Sequence, residues 1–141
     1  MKINRFFAAA TLALSPLAHA DTFSIQCANS EVSCDDLFAD LVSAKFTRFY
    51  DHNKWSIFVY SENFVYSNGS GVVSVLVGVV EQNASAYSYF PRKRWARATF
   101  RPTMGNAYEQ RESLRLAIRK TVEAMMAACE DSPNCNIALR Q

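Results

Sequence analysis

The densest chemistry in the chain lies in Pro91-Arg92-Lys93-Arg94-Trp95-Ala96-Arg97, with Arg101 four residues on. Four cations fall within six residues around one indole. Arg and Trp are the side chains that most often anchor protein interfaces, and an arginine can also stack on an indole face. Alternate residues of a strand point the same way, so Trp95, Arg97, Thr99 and Arg101 would share one face. Arg92, Arg94, Trp95, Arg97 and Arg101 are the candidate partner-binding residues. The partner they suit is a protein with an acidic surface. Arg111, Arg115 and Arg119 recur at i, i+4 and i+8 and form a second basic ridge on a helix. If both ridges face one side, a phosphate-bearing envelope lipid or an anionic glycan would fit as well. The plainer alternative is a solubilising hairpin and a solvated helix face.

Catalytic groupings are sparse. After a leader is removed, His52 is the one remaining histidine, and it sits in the polar tetrad Asp51-His52-Asn53-Lys54. Acid–base or triad chemistry would hinge on that turn residue. Glu62 and Glu81 are isolated acids that would have to converge before they served glycoside hydrolysis. No G-x-S-x-G elbow, P-loop or G-x-G-x-x-G is present, so no nucleotide cofactor is expected. The sequence assigns no catalytic residue, and a small hydrolase using carboxylates is the weaker alternative.

Cys27, Cys34, Cys129 and Cys135 form an even set. Without C-x-x-C spacing or histidine partners they read as disulfides rather than as a zinc site. Spacing suggests two local clips, Cys27–Cys34 and Cys129–Cys135; the alternative is a long-range pairing that ties the two ends together. Asn68-Gly69-Ser70 and Asn83-Ala84-Ser85 match a glycosylation pattern; in a bacterial chain they are simply turns.

That redox reading agrees with the start of the chain. Lys2 and Arg5 precede an apolar run from Phe6 to Leu14, and Ala18-His19-Ala20 is a small-residue cleavage site. This is the layout of a secretory signal peptide over 1–20, leaving one domain over 21–141 in a periplasmic or secreted location. The domain is large enough to build its own core. The formal charge of +2 comes from Lys2 and Arg5, so the mature chain is neutral overall. It is polarised, however, with an excess of five acids before residue 82 and an excess of five bases after it. A nucleic-acid binder would carry net positive charge across its domain, so none is expected as a partner. The longest later apolar run, Gly71 to Val80, is about half the roughly 20 residues of a membrane helix.

The elements that position these residues are expected to form an α+β fold. Thr22–Gln26 reads as a weak strand, and Cys34-Asp35-Asp36 opens a short helix ending near Ser43 or Ala44. The period then becomes two. Phe46–Tyr50 pairs with Trp55–Tyr60, and Phe64–Ser67 leads through Asn68-Gly69 into Val72–Val80 at the sheet centre. Ala86–Phe90 pairs with Trp95–Phe100. About five or six antiparallel strands result. Tyr108–Cys129 is a helix with an apolar stripe from Leu114 to Cys129, capped by Asn106 with Glu109, and it lies across one sheet face. Two function classes follow: a non-catalytic protein-binding module of the inhibitor, immunity or envelope-accessory type, or a small-molecule, lipid or glycan binder with a sheet–helix pocket lined by Tyr60, Tyr66, Tyr87 or Tyr89.

Overall fold

The computed structural model describes residues 23–28, 32, 33, 37, 39–82, 91 and 93–135. The expected leader over 1–20, Cys34, Arg92, Tyr87, Tyr89 and the expected strand Ala86–Phe90 lie outside them.

The sheet grows from its hairpin. Gly69 takes φ +80°, and Asn68 Oδ1 accepts from the Ser70 N–H at 3.0 Å and from Ser70 Oγ at 2.6 Å. The Asn-Gly turn therefore forms as its chemistry requires. It joins β2 (Trp55–Val65) to β3 (Gly71–Glu81) in continuous antiparallel register from Trp55↔Glu81 to Val65↔Gly71. The separate strand expected at Phe64–Ser67 does not exist: Phe64 and Val65 finish β2, and the rest is turn. β4 (Trp95–Arg101) lies antiparallel on the other side of β3, from Val77↔Trp95 to Gly71↔Arg101.

β1 (Ser24–Ala28) departs from the expected antiparallel pattern. It runs parallel to β2, from Ser24↔Ser56 to Ala28↔Tyr60. Parallel neighbours need a crossover that carries the chain back to the same end. Here that crossover contains a 3-10 turn at Ala39–Leu41 and the short helix α1 (Ala44–Phe49). The described sheet is thus four-stranded and mixed, in the order β1-β2-β3-β4, instead of five or six antiparallel strands. α1 also replaces the expected strand Phe46–Tyr50, and the helix expected to end near Ser43 or Ala44 is, over its described part, the 3-10 turn Ala39–Leu41. Ser43 Oγ caps it by accepting from the Phe46 N–H at 3.1 Å. Phe46 and Tyr50 then stack one helical turn apart, centroids 4.8 Å apart, and both are buried.

α2 (Ala107–Cys129) starts where expected. Asn106 accepts from the N–H groups of Tyr108 and Glu109, and Glu109 Oε2 accepts from the Asn106 N–H at 2.8 Å. The expected stripe of Leu114, Ile118, Thr121, Val122, Met125, Met126 and Cys129 is buried throughout. It packs on one sheet face, against Ile57 and Val59 of β2 and Val73, Val75, Val77 and Val79 of β3. Six residues beyond the end of α2 the chain is pinned back by the Cys129–Cys135 disulfide, as expected from spacing. Cys27 is also disulfide-bonded. The buried Tyr50 hydroxyl accepts from the Cys135 N–H at 2.6 Å and donates to the Ser132 carbonyl at 3.2 Å. One phenol thereby ties the end of α1 to the loop inside the disulfide.

Candidate functional site

Cross-strand partners share a face, so the register assigns every β4 side chain. Trp95, Arg97, Thr99 and Arg101 stand opposite Val77, Val75, Val73 and Gly71, on the side that carries α2. Ala96, Ala98 and Phe100 stand on the far side with Leu76, Ser74 and Val72. The predicted grouping of Trp95, Arg97 and Arg101 on one face is therefore what the structure holds.

The members of that group differ in availability. Trp95 is half-buried against the core cluster, with Lys93 Nζ 5.1 Å from its ring centroid. Among the described residues the cation over the indole is thus a lysine. Arg94 turns its Nε–H back to the Pro91 carbonyl at 3.0 Å. Pro91 itself presses on the far face at Gly78, where an added Cβ would meet the Pro91 ring at 2.3 Å. This contact holds Pro91 against the far face shortly before β4 begins. Arg97 and Arg101 are exposed, and among the described residues neither has an acidic partner within ion-pair distance. They are four residues apart on a strand, about 14 Å between Cα atoms.

The helical ridge does not join them as a free cationic surface. Arg119 pairs with both carboxylate oxygens of Asp40 at 3.0 and 2.6 Å, donates to the Leu37 carbonyl at 3.1 Å, and lies 3.5 Å from Glu123. The hydrogen bond from Arg119 holds the Asp40 carboxyl below its ordinary value. Arg115 is 3.5 Å from Glu112. Of the three ridge arginines, two are therefore already neutralised locally. Sequence spacing revealed the ridge but not Asp40, which lies 79 residues from Arg119.

The catalytic candidates are dispersed. Glu62 stands opposite Ser74 on β3, whereas Glu81 lies seven residues further along that strand. Seven residues of extended chain span about 24 Å, far beyond the roughly 9.5 Å upper limit for a glycosidase carboxylate pair. Glu62 accepts a hydrogen bond from the Tyr60 hydroxyl. His52 Nδ1 is 3.6 Å from Asp51 Oδ1, and the Asn53 N–H donates to the same oxygen at 2.8 Å. This is a side-chain-closed turn, and the N–H of Asn53 is the main reason the Asp51 carboxyl is held low. No cluster of three metal-ligating side chains occurs among the described residues.

The expected pocket position also moves. Tyr60 points to the face opposite α2, and Tyr66 is exposed at the hairpin turn. Neither lies between sheet and helix, where fully buried aliphatic side chains meet. Of the exposed aromatic residues, Phe64, Tyr66 and Phe100 are on the far face or at its end, and Phe49 and Tyr108 are on the helices. No described helix is long and apolar enough to cross a membrane. Compared with models of protein families, with curated proteins and with solved structures, the chain matches none.

Proposed function

We propose that the chain is an exported, non-catalytic binding protein that takes an acidic protein surface on the cationic flank of β4. An inhibitor, an immunity protein or an envelope accessory factor would act in this way. The observation that carries the reading is the pair Arg97 and Arg101: exposed, on one face, and without acidic partners among the described residues. β4 is held by seven register pairs to β3, whose Val73, Val75 and Val77 are buried in the core. The two guanidinium groups therefore sit on a rigid support, which lowers the ordering cost of binding. The dispersal of His52, Glu62 and Glu81 supports binding over hydrolysis. The leader sequence and the disulfides support an oxidising compartment outside the cytoplasm.

The test is a comparison of the mature protein with its Arg97→Glu/Arg101→Glu variant as baits for envelope proteins at low and high salt. Loss of about 2 kcal/mol at a pair of interface anchors corresponds to roughly 30-fold weaker binding. The expected result is a specific partner retained by the parent, released by salt and lost by the variant. Equal capture by both baits removes the assignment.

A further inference from the structure

We infer that β4 takes its partner as an added strand: an extended segment with Asp or Glu at alternate positions hydrogen-bonds to the outer edge of β4, which no other described strand covers. This inference rests on the proposed binding role of β4 and names the form of the partner.

The hydrogen-bond phase of the sheet exposes the necessary groups. Tyr66 N–H donates to the Ser70 carbonyl at 2.8 Å, and Gln82 N–H donates to the Lys54 carbonyl at 2.9 Å. Hydrogen-bonded pairs alternate along an antiparallel ladder, so the even-numbered residues of β3 turn their backbone groups to β2 and the odd-numbered ones turn theirs to β4. Trp95, Arg97, Thr99 and Arg101 consequently bond to β3. Ala96, Ala98 and Phe100 aim their N–H and C=O groups away from it, and no described strand lies beyond β4. All of Ala96–Arg101 is exposed. Two of the three outward-bonding residues are alanines, so little side chain obstructs an approaching backbone.

Charge selects the occupant. A strand added about 4.8 Å away would place one side chain about 5 Å from Arg97 and another about 5 Å from Arg101, on the same face. Acidic residues there would form the ion pairs that these arginines lack among the described residues. Apolar residues between them would lie beside Ala96, Ala98 and Phe100. A second copy of this chain fits badly. Two-fold pairing about Ala98 would set Arg97 opposite Thr99 of the other copy, with the other copy's two arginines on the diagonals. Four guanidinium groups would then crowd one face, and like charges across strands destabilise pairing. The same charges that guard an edge against self-association admit an acidic strand.

The probe is a fluorescein-labelled octapeptide of alternating Glu and Val, titrated into the mature protein by fluorescence anisotropy. Two analogues carry N-methyl groups on all Val amides or on all Glu amides. Only one alternate set faces the edge, so one analogue should bind at least tenfold more weakly and the other like the parent. The sensitive set also reports strand direction. Ala98→Pro removes one outward donor at an edge position that tolerates proline, and should weaken binding at least tenfold while circular dichroism stays unchanged. If neither analogue nor Ala98→Pro weakens binding while Arg97→Glu/Arg101→Glu does, strand addition is overturned and the cationic flank stands. Undiminished binding to the charge-reversed protein overturns both. Absence of saturable binding up to millimolar peptide also overturns strand addition.

Discussion

Tyr50 shows how much a single hydroxyl can carry when it is buried between two segments. Its ring is only 1% exposed, stacked on Phe46 and edge-on to Trp55 at 5.7 Å. Its oxygen satisfies the buried Cys135 N–H and donates to Ser132. Burial raises the phenol above its ordinary ionisation range, the Cys135 N–H opposing in part. Tyr50→Phe keeps the aromatic packing but leaves the Cys135 donor unmet, a loss of about 1–3 kcal/mol. Chemical unfolding should show a lower midpoint at an unchanged slope; equal midpoints would deny the hydroxyl this role. The residue scale also holds an unexplained feature. Both side-chain polar atoms of Asn63 are buried without a hydrogen-bond partner among the described residues, and nothing in the structure accounts for it.

At the scale of elements, α2 is joined to the crossover by Arg119 and Asp40, a bidentate pair that closes the gap between helix and 3-10 turn. Asp40 titrates below its ordinary value of 3.8 because it is paired in the folded state. A depressed carboxyl contributes stability that is present above pH 3.8 and lost as the pH falls through the lowered folded value. Asp40→Asn should therefore lower the melting temperature at pH 7, and the gap from the parent should close on acidification through that window. A gap unchanged down to pH 2 would place the effect elsewhere. The elements differed in how far their residues announced them. α2 was legible because Asn106, Glu109 and the buried stripe are all local signals. The Asn68-Gly69 hairpin was legible for the same reason. Phe46-Thr47-Arg48-Phe49-Tyr50 misleads, since Phe46 and Tyr50 satisfy both a period of two and a helical i, i+4 pair. Ser43 decides the matter by capping the helix. The direction of β1 was not legible, because a five-residue strand states nothing about which distant strand receives it.

For the molecule as a whole, stability is distributed between a valine-rich core and covalent closure of the end of α2. Cys129 and Cys135 are buried, and their bond closes a small loop that the chain-entropy argument values at about 2 kcal/mol. Replacing both by alanine should lower stability by about that amount while leaving the far-ultraviolet circular dichroism of the sheet and α2 in place. Loss of all cooperative unfolding would show instead that the core cannot stand without the bond. The candidate binding surface was half legible at this scale. Alternation alone placed Arg97 and Arg101 together, whereas the pairing of Arg119 with Asp40 requires two segments far apart in sequence to meet.

The parallel pairing of β1 reverses order in time. Ser24–Ala28 leaves the ribosome before any residue of its partner strand, and the intervening segment must wrap back before the two can meet. Closing the five-residue turn between β2 and β3 costs less chain entropy than closing the long connection from β1 to β2, so the β2–β3 ribbon is expected to pair before β1 joins it.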